Sequence, residues 1–189
     1  MPGNTPARGI TATVRALPLL LVMLVQSPCA AVLEGRVIHV ADGDTLTILD
    51  DQQQSHKIRL AGIDAPERGQ PFGRKATEAL AALTKNQQVT IDGGKTDRYQ
   101  RRIGIVKVAT AGCIISCATG TDVGLALVVA GLAWHYRAYE REQSGSDREQ
   151  YREAENGARS RRDGLWTDAA PMPPWDWRRV RREGNAARH

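Results

Sequence analysis

Val37-Ile-His-Val-Ala-Asp-Gly-Asp-Thr-Leu-Thr-Ile-Leu49 and Lys57-Ile-Arg-Leu-Ala-Gly-Ile63 decide the fold of this chain. The apolar runs are short, rich in β-branched residues and bounded by turn formers, which is the pattern of strands rather than helices. Gly35–Val40, Thr45–Leu49 and Lys57–Ile63 are the expected strands. Asp42-Gly43 supplies turn chemistry between the first two, and the polar stretch Asp50–Ser55 connects the last two. Three strands this close together predict an antiparallel meander.

Working toward the C-terminus, Phe72, Ala76, Ala79, Leu80 and Leu83 follow helical spacing, which predicts one amphipathic helix from Pro71 to Lys85. Val89–Ile91 and Ile103–Val108 return to strand character around the polar loop Asp92–Arg101. Residues 109–121, rich in Ala, Thr, Gly, Ser and Cys, form a loop or hairpin insertion. Asp122 is placed to cap a buried helix through Val123, Leu127 and Ala130 that ends at Gly131. A third helix starts at Ser146 or Asp147 and runs to Arg161, with Tyr151, Ala154 and Ala158 facing the core. The order β-β-β-α-β-β-α-α predicts an α+β fold: a five-stranded, partly open OB-type β-barrel with three helices. It fills one domain, residues 32–168. A Pro-, Trp- and Arg-rich tail follows at 169–189, whose Trp175 and Trp177 are expected to fasten it to the barrel. Its end carries Arg178, Arg179, Arg181, Arg182 and Arg188 against Glu183 alone, and suits either nucleic-acid affinity or a solvated end.

Toward the N-terminus, Arg8 and Arg15 precede a short apolar stretch, Ala16–Val25, and then Ser27, Cys29, Ala30 and Ala31. Such a stretch falls short of the ~20 residues a spanning helix needs. A basic start, a short apolar core and a small-residue exit define a secretory signal peptide over residues 1–31, against the alternative of an uncleaved anchor. The expected location is periplasmic or secreted, with no stable membrane association after cleavage. Cleavage takes away two arginines and no acid, lowering the net charge from +5 to +3. Cys113 and Cys117 then remain, and fit either a disulfide in a hairpin or tight loop or two reduced thiols. With no Cys or His nearby, they supply only half a zinc ligand set.

Composition sets broad limits. A chain of 189 residues, 41% hydrophobic and 25% charged, is globular rather than disordered. Aromatic residues are only 5%, which argues against an aromatic base-stacking surface. A net charge of +5 agrees with a polyanionic partner without specifying one. One domain with no obvious exposed apolar face favours a monomer.

The acids and arginines of the β-rich half form a constellation. Asp44 and Asp64 flank hairpin-linked strands, so their carboxylates can meet on one barrel rim, where two hard oxygen ligands suit Ca²⁺. Glu67, three residues beyond Asp64, is within reach of a metal-bound water. Arg59 and Arg101 are positioned to grip a phosphate, whose oxygens their planar forks match better than lysine does. Together these are the parts of a phosphodiester hydrolysis site. His39, alternating with Val37, is a packed or surface histidine rather than a base, and His135 lies near the expected pocket.

The stretches Val40-Ala-Asp-Gly-Asp-Thr45, Ile58-Arg-Leu-Ala-Gly-Ile-Asp-Ala-Pro-Glu67, Thr96-Asp-Arg-Tyr-Gln-Arg101 and Gly131-Leu-Ala-Trp134, in that order, resemble the staphylococcal nuclease-like (thermonuclease) family over Val32 to Trp166. The resemblance implies an OB-type barrel and Ca²⁺-dependent cleavage of DNA and RNA to 3′-phosphate products. By the same resemblance Asp44 and Asp64 match the metal carboxylates, and Ala65 a main-chain metal ligand. Glu67 matches the general base or water-positioning group, and Arg59 and Arg101 the phosphate-binding arginines. Tyr99 matches a nucleotide-contacting tyrosine, and Tyr136 and Tyr139 line the base or phosphate pocket. One departure concerns Arg101: Gln100 stands where glycine is usual, at a position expected to need positive φ. A second is the long cysteine-bearing segment 111–120. A secreted or periplasmic, sugar-nonspecific nuclease preferring single strands is the first reading. A non-catalytic OB module that binds nucleic acid and a nuclease with a plasmid- or conjugation-linked role are the alternatives.

Overall fold

A computed structural model gives the fold of residues 32–109 and 120–187, the described part of the chain. The expected signal peptide and both Cys113 and Cys117 lie outside these residues. The strands are β1 (Leu33–Val40), β2 (Thr45–Leu49), β3 (Ser55–Leu60), β4 (Ile63–Asp64), β5 (Gln88–Thr96), β6 (Arg102–Val108), β7 (Thr121–Asp122) and β8 (Trp134–His135). The helices are α1 (Gly73–Thr84), α2 (Val123–Val129), α3 (Gly145–Arg161) and α4 (Pro174–Ala186).

β1, β2 and β3 form the expected meander, and β5 and β6 continue the sheet from the other side of β1. β3 also pairs in parallel with β6, matching Arg59 to Ile103, and this ladder closes the five strands into a barrel. β7 returns antiparallel along β6, so the chain leaves and re-enters at one sheet edge around the cysteine-bearing segment. β4 and β8 form a separate two-stranded ladder that pairs Asp64 with Trp134.

The barrel interior follows the period of two in each strand. On β1, Gly35 and Val37 are buried while Arg36 and Ile38 face out. Val37, Leu46, Ile48, Ile58, Leu60, Val89, Ile91 and Val106 fill the interior, and Ala76, Leu80, Val123, Leu127 and Tyr151 pack the helices against it. Asp50 makes the β2–β3 turn by accepting from the Gln52 and Gln54 amides at 2.9 and 2.8 Å. Asp122 caps α2 as expected, accepting from the Leu125 amide at 3.1 Å, and Gly131 turns the chain at φ 65° beyond it.

Three expectations change in detail. α1 starts two residues later than expected, because Phe72 takes φ 67° and leaves the helix to pack against the cluster of Trp134, Ala158, Leu165 and Trp166. The buried face of α1 ends at Thr84 rather than Leu83, which is 37% exposed. The Thr84 hydroxyl donates to the Leu80 carbonyl at 2.7 Å, so it is buried without losing a hydrogen bond. On α3, capped by Ser144, the buried positions are Tyr151, Glu155 and Ala158, with Ala154 only partly covered. Glu155 is tolerated at 2% exposure because it accepts from the His135 amide and faces Arg159 at 3.4 Å.

The tail is the largest difference. Residues 174–186 form a fourth helix, with Pro174 at its first turn, where a missing N–H costs nothing. Trp175 stacks edge-on to Trp134 at 6.4 Å and lies 5.2 Å from Tyr136. Gln70 holds the approach to the helix by donating to the Met172 carbonyl.

Candidate active site

Barrel closure gathers the charged residues. β2 and β3 pair Thr45 with Arg59, and the Leu60 amide donates to the Asp44 carbonyl at 2.9 Å. The parallel β3–β6 register sets Arg101, the residue before β6, on the same rim. β4 then carries Asp64 back beneath this rim. The outcome is a cleft of about 790 Å³ whose lining includes Asp44, Arg59, Ala65, Glu67 and Arg101.

Arg59 lies between two carboxylates. Its Nη1 is 3.3 Å from Asp44 Oδ2 and its Nη2 is 3.6 Å from Asp64 Oδ1, and Nη2 also donates to the Ile63 carbonyl. Asp44 Oδ1 accepts from the Thr45 hydroxyl at 2.9 Å, and Oδ2 accepts from the Ala65 amide at 3.3 Å. Asp64 is completely buried. Burial pushes its carboxyl above the ordinary range, Arg178 and Arg59 oppose this, and the Asp44 charge adds to it. Asp42, which accepts from the Asp44 amide at 3.1 Å, is pushed up to about 6 by burial and by Asp44. Three carboxylates thus crowd one wall, and the Asp44 charge raises the proton affinity of both Asp42 and Asp64.

That crowding fits a hard divalent cation, which would relieve the repulsion that Arg59 leaves uncompensated. Asp44 and Asp64 are the suited donors. Among the described residues no three His, Cys, Asp or Glu side chains converge as a closed metal cage. An ion here would therefore draw further oxygens from backbone carbonyl and water, as Ca²⁺ commonly does.

Arg101 is held by a tight turn. Asp97 accepts from the Arg101 amide at 3.0 Å, from its Nε at 2.8 Å and from the Tyr99 amide at 2.8 Å. Arg101 Nη1 reaches the Thr45 hydroxyl oxygen at 3.2 Å, tying the β5–β6 turn to the Asp44 rim. Burial raises the Asp97 carboxyl, but these hydrogen bonds outweigh it and the net shift is downward. Gln100 adopts φ 62°, so the position does need the left-handed region, and Gln takes it.

Glu67 sits across the cleft on a loop before α1, its amide donating to Gln70 Oε1 at 3.1 Å. Gly73 is required beneath this loop, since a Cβ there would lie 1.9 Å from the Glu67 carbonyl oxygen. Tyr99, Tyr136 and Tyr139 all line the cleft, Tyr99 at 62% exposure and the other two packed edge to face at 5.1 Å. His135 is buried instead, with Nε2 against Gln143 at 3.1 Å and its pKa lowered by burial, and His39 is exposed.

Sequence reasoning missed Arg178. From α4 its Nη2 lies 2.6 Å from Asp64 Oδ2, and its Nη1 lies 2.8 Å from Glu67 Oε1 and 3.2 Å from Asp64 Oδ1. These hydrogen bonds raise its own pKa despite partial burial. No local signal announces a contact spanning 111 to 114 residues. Asp42 had a signal, the Asp-Gly-Asp run itself, but as turn chemistry it gave no reason to expect burial. Asp97 was legible only as part of the polar loop.

The barrel brings rim arginines and facing carboxylates to one OB-type cleft, and comparisons with known proteins give the class of protein that carries it. Residues 57–168 match the model of the family described as staphylococcal nuclease homologue. The chain is 40% identical over 168 residues to Protein ParB of Escherichia coli, covering 89% of this chain and 92% of that protein. It is 38% identical over 173 residues to the Micrococcal nuclease of Shigella flexneri, covering 89% and 94%. An uncharacterized endonuclease of Haemophilus influenzae is 35% identical over 162 residues, covering 85% and 82%. The chain belongs to the staphylococcal nuclease homologue family, and is a nuclease of that kind.

Proposed function

We propose that the protein is an exported, Ca²⁺-dependent, sugar-nonspecific nuclease that hydrolyses phosphodiester bonds of DNA and RNA, with single strands preferred. The observation that carries this reading is the shared rim: Arg59 and Arg101 on the barrel wall beside Asp44 and Asp64, with Glu67 across the cleft. Asp44, Asp64 and the Ala65 main-chain carbonyl would hold the ion. When bound, Ca²⁺ supplies positive charge that offsets the scissile phosphate.

The residues of the chain do the rest. Glu67 accepts a proton from the attacking water, or orients it. As oxygen adds to phosphorus, charge grows on the equatorial oxygens, and Arg59 and Arg101 bind that state more tightly than the ground state. The bond from phosphorus to the 5′-oxygen breaks, the 5′-oxygen takes a proton from solvent water as it leaves, and Glu67 returns the proton it accepted to solvent. The products are a 3′-phosphate and a 5′-hydroxyl. Tyr99, Tyr136 and Tyr139 flank the cleft as surfaces on which sugar and base can stack, a sequence-tolerant contact.

The test is digestion of end-labelled single-stranded DNA and RNA by the mature protein, with Ca²⁺ or with chelator. Cleavage of both in Ca²⁺, lost in chelator and leaving 3′-phosphate ends, is the expected result. Tight binding without cleavage in any divalent metal would favour a non-catalytic OB module.

A further inference from the structure

We propose that α4 is an intramolecular plug: the Arg178 guanidinium occupies the carboxylates of Asp64 and Glu67 and must be displaced before a divalent cation and an attacking water can use them. The proposal rests on the reading of Asp44 and Asp64 as the divalent-cation site.

The contacts carry the argument. Arg178 bonds both oxygens of the fully buried Asp64, at 3.2 and 2.6 Å, and Oε1 of Glu67 at 2.8 Å. With Arg59 Nη2 also 3.6 Å from Asp64 Oδ1, little lone-pair capacity remains on Asp64 for a metal. Glu67 Oε1, already accepting from Arg178 Nη1, has that lone-pair direction taken from an incoming water. One guanidinium thus blocks a ligand and the proposed base together, and one event frees both.

The hold is local, as a displaceable plug requires. α4 is fastened through its first turn, where Pro174 is buried and Trp175, Trp177 and Arg178 are half-buried, whereas residues 179–187 are exposed. Arg178 is itself 35% exposed on its side chain, so water can reach it and take over its hydrogen bonds. A divalent cation would bring two positive charges where Arg178 brings one, so the carboxylates that Arg178 and Arg59 face favour the exchange. Arg182, one helical turn further, also lines the cleft.

Calorimetric titration with Ca²⁺ of the full chain, Arg178→Gln and Arg179→Gln tests this. Among the described residues Arg179 pairs with Asp176 on its own helix, so its variant removes the same net charge without touching the site. Arg178→Gln should bind Ca²⁺ about ten-fold more tightly than the other two. In the unaltered chain, Ca²⁺ should also speed amide hydrogen exchange across 174–182, because the anchor is lost. Equal Ca²⁺ affinity in all three proteins would overturn the plug and leave the metal site intact. Absence of Ca²⁺ binding in all three would overturn the metal reading, and the plug with it. Tighter binding in both arginine variants would reduce the effect to net charge and likewise overturn the plug.

Discussion

Gln100 and Asp42 each occupy a position that the site needs and the side chain dislikes. Gln100 holds φ 62° so that Asp97 can clamp Arg101 from backbone and side chain at once. Gln100→Gly relieves the left-handed strain but enlarges the unfolded ensemble, for a net gain of about 0.5–1 kcal/mol in urea unfolding. Unchanged cleavage in that variant would agree with a clamp that already places Arg101, whereas a large rise would mean Arg101 is misplaced. Asp42 has a folded pKa of about 6 against 3.8 in the unfolded chain. The folded state therefore keeps a proton that the unfolded state loses, and this contribution, full below pH 4, is lost as pH rises through 6. Asp42→Asn should stabilise the metal-free protein by about 1–2 kcal/mol at pH 7 and by almost nothing at pH 4. An equal offset at both pH values would contradict the crowding of Asp42 against Asp44.

Elements place these residues, and some placements were readable in advance. The short β-branched runs around Asp42-Gly43 and Asp50–Ser55 announced β1 to β3, and the Asp122 and Gly131 ends announced α2, because caps and periodicity are local properties. The rim formed by Arg59 and Arg101 depends on the parallel β3–β6 ladder, a long-range pairing that periodicity cannot reveal. The motif order supplied it through family resemblance instead. α4 escaped because its polar, arginine-rich sequence lacks a wide apolar stripe, and its covered residues are confined to the first turn, Pro174 to Arg178. The loop carrying Glu67 depends on the start of α1. Gly73→Ala would drive a Cβ into the Glu67 carbonyl and should cost about 2–3 kcal/mol in urea unfolding. Gly69→Ala, with open space around it, should be near neutral. Equal effects would remove Gly73 as the support of that loop.

At the scale of the whole molecule, a closed barrel presents a basic-rimmed cleft, with Lys57, Lys95, Arg98 and Arg182 beside the acidic floor. Under the proposed function, the outer cations would attract a phosphate backbone while the inner carboxylates hold a metal, which would separate attraction from chemistry by depth. The proposed export adds a covalent expectation. Protein recovered outside the cytoplasm should lack residues 1–31 and, with Cys113 and Cys117 paired, weigh two hydrogens less than its reduced form. Labelling of both thiols by a maleimide without prior reduction would contradict the pairing.

The central claim is that one rim, not several scattered charges, performs hydrolysis. Its most direct test is the single-turnover rate of single-stranded DNA cleavage in saturating Ca²⁺ for the unaltered protein, Glu67→Gln and Arg101→Ala. Loss of either side chain should slow cleavage on the order of 10²–10³-fold while DNA is still bound. Rates within a few-fold of the unaltered protein for both variants would contradict the account and send the search for the reacting groups elsewhere on the molecule.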